Sequence, residues 1–259
     1  MYEIKNIVRY PIKGLSGENL KKITLEKNQV LPGDRQFAFS RSHVKYDKNN
    51  PTYLRKTNFL ALVKDEKLAK LETKFVPQTR ELFIKLDNEI VINEILIEEE
   101  NINRVETFFQ NYLNLGVDQK PQLLEGIKVE SNNKLTHSFS DIPDKAVSII
   151  NLTTITEFEK KLGKKILPSR FRGNLLIDNG NPWEEFNWIG KKVSVGDSVL
   201  EVFKKTKRCA ATNVNPENAL RDINIPNEIN THYGHLDLGV YARVVKTGLV
   251  SISDYLYIN

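Results

Sequence analysis

Apolar and polar residues alternate along much of the chain, which is the pattern of short β-strands that bury one face. β-favouring residues run from Ile4 to Ile12 and stop at the glycines Gly14 and Gly17. Residues 36–40 alternate again after Pro32-Gly33-Asp34, whose composition is that of a turn. Further strand-like runs cover residues 82–86, 90–97, 193–195, 199–202, 240–245 and 249–252. The pattern therefore predicts a chain rich in short strands.

Two segments have the spacing of an amphipathic helix instead. The first is predicted from Asn103 to Leu115, where apolar residues recur at helical intervals and Gly116 follows as a C-cap. The second is predicted from Thr154 to Leu162, because Thr154 and Glu157 have the spacing of a capping box and Gly163 follows. Few helices among many strands predict a mainly β (α+β) fold, built as a barrel or a sandwich.

The length of 259 residues is sufficient for one large domain or two small ones. The boundary is expected between Asn114 and Pro121, after the first helix. This division gives an N-terminal domain of residues 1–116 and a C-terminal domain of residues 117–259.

The composition is mildly basic, with 38 Lys and Arg residues against 33 Asp and Glu residues and a net charge of +5. The lysines are spread along the chain, so nucleic-acid binding is not expected, and a bound small anion would explain the same excess. No run approaches the roughly 18 apolar residues of a membrane helix, and the N-terminus does not resemble a secretory signal. We therefore expect a cytoplasmic protein without a membrane span.

The only cysteine, Cys209, restricts the redox chemistry of this chain. One thiol cannot form an internal disulfide, an ordinary iron–sulfur cluster with four thiolate ligands or a cysteine-rich zinc site. Four cationic residues lie within the five positions before it and would stabilise a thiolate. Cys209 is therefore either a small buried apolar residue or a nucleophile and soft-metal ligand.

Other candidate residues favour an anionic ligand. In Arg170-Phe171-Arg172-Gly173-Asn174, an extended backbone would place both arginines on one face as a fork for an oxyanion. Asn174 would add an amide, and Gly173 would permit a close approach of the backbone to a ligand. Two ordinary surface arginines at a sheet edge are the alternative.

Two N-terminal segments place a cation beside a glycine or a turn, namely Lys13-Gly14 and Gly33-Asp34-Arg35. Together they would supply two more donors to a phosphate, although each alone is a weak signal. The sequence contains no nucleotide-binding loop and no hydrolase elbow. The histidines match no zinc motif, and we assign them no metal: His43, His137, His232 and His235.

These motifs, in this order, resemble the MOSC family. Tyr-Pro-Ile-Lys-Gly at 10–14 and Gly-Asp-Arg-Gln-Phe at 33–37 resemble its β-barrel-like N-terminal module. The later motifs resemble the MOSC domain itself, which is the C-terminal domain of molybdenum cofactor sulfurases. These are Arg-Phe-Arg-Gly-Asn at 170–174, residues 189–197, Lys-Arg-Cys-Ala-Ala-Thr at 207–212 with Pro216, and Gly-Val-Tyr at 239–241.

The resemblance implies an N-terminal β-barrel-like module packed on a MOSC β-barrel, with the molybdenum cofactor (Mo-molybdopterin) between them. Cys209 would then be the molybdenum ligand and the catalytic thiolate. Pyridoxal phosphate binding is a further association of the family. The residues implied as cofactor contacts are Lys13, Gly14, Arg35, Arg172, Asn174, Arg208 and Thr212.

Some features depart from the related reductases. Gly14 and Lys207 stand where they often carry serine or threonine, and Asn215 replaces a frequent aspartate before Pro216. These changes remove hydroxyl donors and one carboxylate and make the edge of the pocket more cationic. A different substrate, a different pterin form or a carrier role would each be consistent with them.

The resemblance implies a molybdenum-dependent oxidoreductase that reduces N-hydroxylated or N-oxide-type small molecules. Because one cysteine cannot hold an iron–sulfur cluster, electrons are expected from a separate partner, a ferredoxin- or cytochrome-type reductase system. The alternative is a carrier of molybdenum cofactor or of sulfur on Cys209, without turnover of its own. A basic β-barrel that binds nucleic acid is a distant third.

Overall fold

A computed structural model describes residues 1–47, 49, 52–126, 128–129, 134–135 and 138–259 of the chain. In chain order the strands are β1 (Tyr2–Arg9), β2 (Glu18–Leu20), β3 (Lys22–Leu25), β4 (Phe37–Ser40), β5 (Glu72–Val76), β6 (Glu81–Leu86), β7 (Glu89–Ile95), β8 (Gln122–Glu125), β9 (Lys128–Val129), β10 (Lys134–Leu135), β11 (Val147–Asn151), β12 (Leu175–Asp178), β13 (Lys192–Val195), β14 (Ser198–Lys207), β15 (Asp237–Lys246), β16 (Gly248–Ser251) and β17 (Tyr255–Ile258). The α-helices are α1 (Glu99–Tyr112), α2 (Leu152–Leu162) and α3 (Ile225–Tyr233). Short 3-10 helices are formed by Lys56–Asn58, Glu66–Lys70, Val117–Gln119, Pro168–Phe171, Glu184–Trp188 and Ala210–Asn213. The fold is mainly β with a few helices, as the sequence predicts.

A closed seven-stranded β-barrel forms the centre of the molecule, in the order β12-β11-β15-β14-β13-β17-β1. Strand β1 closes it by pairing antiparallel with both β12 and β17. The barrel is filled by inward apolar side chains, because period-2 alternation places every second residue inside. Ile4 and Ile7 of β1 are fully buried beside Leu175 of β12 and Val240 of β15.

A second apolar core lies under the three-stranded sheet β5-β6-β7 and helix α1. Val105 and Phe109 of α1 are fully buried there, against Leu82 and Ile84 of β6. This core is continued by Phe37 of β4, which is paired with β8. The residues of this second core lie in the chain between barrel strand β1 and the next barrel strand, β11.

The expected division into residues 1–116 and 117–259 stays a prediction. The strand pairing runs across it, because β1 lies inside the barrel and β3 pairs with β16. Strand β4 likewise pairs with β8 across the expected boundary. The N-terminal strands therefore stabilise elements that follow residue 116.

The helix predictions need three corrections. Helix α1 begins at Glu99 and not at Asn103, and it is followed by Asn114 in the left-handed region, whereas Gly116 has an ordinary negative φ. The predicted capping box at Thr154 is wrong, since the N-cap of α2 is Asn151, whose side chain accepts from the backbone N–H of Thr153. Helix α3 is not predicted from the apolar spacing at all.

The end of the second predicted helix matches its predicted chemistry. Gly163 ends α2 in the left-handed conformation, with φ of 67°. Gly196 makes the tight turn between β13 and β14, where φ is 52°. No helix in the described ranges is long and apolar enough to span a membrane.

Candidate functional site

A cavity of about 180 Å³ lies where β14 ends, between the barrel and the loops that precede β4 and β12. A smaller cavity of about 40 Å³ adjoins it and shares several of its lining residues. Of the predicted site residues, the larger cavity brings together Arg35, Arg172, Asn174, Arg208, Cys209 and Thr212. The smaller one adds Lys13 and Gly14 and shares Arg35, Arg172 and Cys209. The structure thus gathers all eight residues around one place.

Cys209 follows the last residues of β14 and begins the 3-10 helix Ala210–Asn213. It is half-buried, so its thiol is neither enclosed in a core nor fully in solvent. Partial burial alone would lower the pKa of Lys56, but its hydrogen bond and charge interaction with the sulfur of Cys209 outweigh this effect and raise that pKa. Lys56 lies on the 3-10 helix Lys56–Asn58, far from Cys209 in sequence, and lines both cavities.

Arg172 reaches the cavity from the end of the 3-10 helix Pro168–Phe171, with its backbone in the left-handed region at φ of 51°. Its Nη1 donates to the carbonyl of Leu15 at 2.6 Å. Its Nη2 is buried and has no hydrogen-bond partner among the described residues. Burial, followed by repulsion from Arg35, lowers the pKa of Arg172 to about 10. An unpaired buried donor is costly, and an anionic ligand would satisfy it.

Arg35 lies beside Arg172, and the two guanidinium groups flank the ring of Tyr10 at 4.8 and 4.3 Å from its centroid. Nη1 of Arg35 donates to the neighbouring carboxylate of Asp34, and Nη2 donates to the carbonyl of Arg172 at 3.1 Å. Burial lowers the pKa of Arg35, but the charges of Asp34 and Asp141 outweigh it and leave the pKa raised. The Tyr10 ring thus holds two cations close together.

Lys13 is buried, and its ammonium donates to the carbonyl of Phe139 at 2.9 Å and to Asp141 Oδ1 at 2.5 Å. Burial lowers the pKa of Lys13, although Asp141 opposes this effect. Desolvation beside the cavity raises the pKa of the half-exposed Asp141, but the charges of Lys13 and Arg35 outweigh it and hold that pKa below its usual range. Lys13 is therefore a cation of the smaller cavity that already has one carboxylate partner.

Gly14 is required by the backbone at this place. Its φ is +85°, and a Cβ would lie 2.9 Å from the carbonyl oxygen of Leu60 and 3.3 Å from Cα of Ala61. The glycine therefore lets the chain after Lys13 pack closely on residues 60–61, which positions the lysine.

Three of the residues predicted as cofactor contacts form hydrogen bonds to other protein groups in this structure. The guanidinium of Arg208 donates to the carbonyls of Leu238 and Phe171, and burial lowers its pKa to about 10. Asn174 accepts from the hydroxyl and the backbone N–H of Ser148. The hydroxyl of Thr212 donates to the carbonyl of Cys209 at 2.8 Å, which fixes the turn after the cysteine. Their roles as cofactor contacts stay predictions.

The prediction for residues 170–172 is wrong in its geometry. The segment is helical and then left-handed, so the two arginines do not form a fork on one strand face. Nη2 of Arg170 donates to both carboxylate oxygens of Asp222 at 2.7 and 2.8 Å, and Nη1 donates to the carbonyl of Asn213. Gly173 approaches the protein itself, because a Cβ there would lie 2.2 Å from Cγ1 of Ile150.

Lys56, Asp141 and Tyr241 line the larger cavity without having been predicted as site residues, although Gly239-Val240-Tyr241 stands out as a motif. Burial raises the pKa of Tyr241, so its hydroxyl stays protonated at neutral pH. Lys56 lies in a segment without a recognisable pattern, and only the fold brings it to Cys209.

The charge of the two cavities is strongly positive. Nine Lys or Arg residues line them, against three Asp residues. No group of three His, Cys, Asp or Glu residues suited to a metal ion exists within the described ranges, and His137 lies outside them. The arrangement is suited to an anionic ligand that offers its metal to one thiolate.

Comparisons with known proteins agree with the resemblance. Mitochondrial amidoxime reducing component 2 of Bos taurus is 21% identical over 168 residues, which are 58% of this chain and 49% of that protein. Molybdenum cofactor sulfurase of Arabidopsis thaliana is 24% identical over 244 residues, 84% of this chain and 29% of that protein. The chain therefore spans about half the length of the first relative and under a third of the second.

Among solved structures, the YUAD protein from Bacillus subtilis is similar over 100% of this chain and 96% of that chain, with a TM-score of 0.44 and 11% identity. The sequence profile of the MOSC domain matches residues 134–257. That segment contains the strands β11 to β16, the Arg172 loop and Cys209. Residues 134–257, just under half of this chain, are therefore similar to the MOSC domain family.

Proposed function

We propose that this protein binds molybdenum cofactor, with the metal on Cys209, and reduces N-hydroxylated or N-oxide-type small molecules. The observation that carries the proposal is the unpaired, buried Nη2 of Arg172 in a cationic cavity that also contains the only thiol. The names of the relatives, an amidoxime reducing component and a molybdenum cofactor sulfurase, support the same chemistry.

The residues present suit such a cofactor on two separate grounds. A terminal phosphate needs several charge-assisted donors, and Arg172, Lys13 and Arg35 lie together at the smaller cavity. A soft metal needs a thiolate, and the half-buried Cys209 borders both cavities. Arg172 has the donor that is free for the phosphate, whereas Lys13 would share its charge with Asp141.

When bound, the cofactor supplies a metal that accepts and returns two electrons. The reduction of an N–OH group consumes two electrons and two protons and releases water. In this cavity Lys56 Nζ and the hydroxyl of Tyr241 carry protons at neutral pH, since the pKa of each group is raised. Arg208 and Thr212 fix the backbone on either side of Cys209, which orients the thiol.

The half-buried position of Cys209 also suits a second function, the transfer of cofactor or sulfur. A carrier thiol must be reachable by a partner protein, and Cys209 is partly exposed. In that case the protein would bind cofactor or a persulfide without reducing a substrate.

The experiment is purification from a host that makes molybdenum cofactor, followed by measurement of molybdenum and released pterin per chain. Released pyridoxal phosphate is measured in the same sample. We expect about one molybdenum and one pterin per chain. A wild-type protein that contains neither under these conditions would contradict the proposal.

Turnover then separates the enzyme from the carrier. The loaded protein is assayed for reduction of benzamidoxime or a hydroxylaminopurine with an artificial electron donor. Steady turnover that the Cys209→Ala variant lacks supports the enzyme. A persulfide on Cys209 with no turnover supports the carrier.

A further inference from the structure

Three lysines at the end of strand β14 form an exposed positive surface at the edge of the larger cavity. Lys204, Lys205 and Lys207 are all exposed and all line that cavity. We call this surface the lysine rim. It lies within five residues of Cys209 along the chain, so any partner seated on it is close to the thiol.

Local irregularity of the strand explains why so many cations share one edge. In a regular strand, neighbouring residues point to opposite faces, so Lys204 and Lys205 would be separated. The register between β14 and β15 shifts between Val202 and Lys204 and again between Lys205 and Lys207. β-bulges of this kind re-aim side chains next to functional sites. Here both consecutive lysines are exposed.

The charge of the lysine rim is not neutralised. None of its three lysines has an ion pair within the part of the chain that the structure describes. The ammonium of Lys205 lies 4.4 Å from the centroid of the Phe186 ring, a contact that keeps its charge. The carboxylates that line the larger cavity are engaged elsewhere, Asp34 with Arg35, Asp141 with Lys13 and Asp144 with Arg243. Asp237 stands opposite Lys207 in the β14–β15 ladder and forms no ion pair with it among the described residues. The rim therefore presents a concentrated positive field to solvent.

We propose that the lysine rim is the docking surface for an acidic electron-transfer protein. The inference rests on the proposed function, which needs electrons from a separate redox centre because this chain's single cysteine cannot hold an ordinary iron–sulfur cluster. Charge complementarity steers such an encounter and raises its rate. A rim beside Cys209 also brings the partner's redox centre near the proposed metal position.

The test measures binding and not turnover, so that it is independent of the proposed activity. The probe is a purified, negatively charged plant-type ferredoxin, titrated at several salt concentrations. The rim variant is Lys204→Gln/Lys205→Gln/Lys207→Gln. The control variant removes three equally exposed lysines on and after helix α2, Lys160→Gln/Lys161→Gln/Lys164→Gln. Both variants change the net charge by the same amount.

We expect the rim variant to bind the ferredoxin about tenfold or more weakly and with a shallower salt dependence, while the control variant binds like the wild type. Equal weakening by both variants would reduce the effect to net charge and overturn the docking surface. A rim variant that binds the ferredoxin as tightly as the wild type would overturn the docking surface as well. So would a rim that binds a single-stranded oligonucleotide and not the ferredoxin.

The outcomes separate this inference from the proposed function. A protein that holds molybdenum and turns over with an artificial donor, but does not bind the ferredoxin, keeps the function and loses the docking surface. A protein that binds the ferredoxin through the rim but carries no cofactor keeps the surface and loses the function.

Discussion

The two sides of the larger cavity each present a buried arginine, and they use it differently. On the side formed by the end of β14, Arg208 donates to the carbonyls of Leu238 and Phe171. On the side that faces the N-terminal loops, Arg172 leaves Nη2 without a partner among the described residues. Burial lowers the pKa of both arginines to about 10. The difference is that Arg208 commits its donors to the protein, whereas Arg172 keeps one donor without a protein partner, which is why we propose Arg172 and not Arg208 as a direct ligand contact.

The largest expected effect is on the Arg208 side. Arg208→Met would leave two buried carbonyls, of Leu238 and Phe171, without donors. We expect a loss of about 3 kcal/mol in the free energy of unfolding, measured by chemical denaturation. The exposed control Lys161→Met should stay within about 0.5 kcal/mol of the wild type. A stable Arg208→Met variant would show that these bonds do not hold the cavity wall.

The next effect concerns the loop that positions Lys13. Gly14→Ala adds a Cβ 2.9 Å from the carbonyl oxygen of Leu60 at a positive φ, so we expect a loss of about 2 kcal/mol. Gly163→Ala is the matched control, because its φ is also positive but a Cβ there meets nothing within 4 Å. The control should lose about 1 kcal/mol or less. Equal losses in the denaturation experiment would mean that packing against Leu60 adds nothing.

For Arg172, in contrast to Arg208, we expect a substitution to weaken ligand binding and to leave stability nearly unchanged. Arg172→Met removes one hydrogen bond to Leu15 together with an unsatisfied donor, so the free energy of unfolding should change by less than about 1 kcal/mol. Affinity for pyrophosphate, measured by calorimetry on the cofactor-free protein, should fall about tenfold, since one charge-assisted bond is lost. A variant that loses stability as Arg208→Met does, with unchanged pyrophosphate binding, would remove the contrast between the two sides.

The smallest effect is a pH dependence at Asp141. Because Lys13 and Arg35 hold its pKa below the usual range against the opposing effect of desolvation, the folded state binds fewer protons than the unfolded state. Its stabilisation is therefore present above the unfolded pKa of about 3.9 and is lost as pH falls below that value. The Asp141 side chain is half-exposed, so solvent screening limits the effect to about 1 kcal/mol. Asp141→Asn should flatten the stability curve below pH 4, and an unchanged curve would contradict the ion pair.

Much of the barrel could be predicted because its strands carry a local signal. The runs at 193–195 and 199–202 correspond to β13 and β14, and Gly196 lies in the turn between them. Strand β11 is not predicted, since its five residues are all buried and give no alternation. Helix α3 is short and half polar, so tertiary packing of Ile225 and Ile229 determines it more than spacing does.

The site was predictable where a motif is continuous and not where it is assembled by the fold. Cys209 and Arg172 stand in recognisable segments and do line one cavity. Lys56 and Asp141 reach the same cavity from distant segments, a contact that no local pattern encodes. The assumed extended backbone at Arg170 and Arg172 failed because Pro168 starts a 3-10 helix and Arg172 turns left-handed. Residues two positions apart share a face only where the backbone is an extended strand, so the alternation of Arg170 and Arg172 did not predict their positions.

The most direct test of the account measures molybdenum and pterin per chain in three proteins purified side by side from a host that makes the cofactor. The wild type should contain both, Cys209→Ala should lose molybdenum, and Arg172→Met should retain less pterin while staying as stable as the wild type. If Cys209→Ala retains as much molybdenum as the wild type, or the wild type contains none, Cys209 is not the metal ligand and the central claim is wrong.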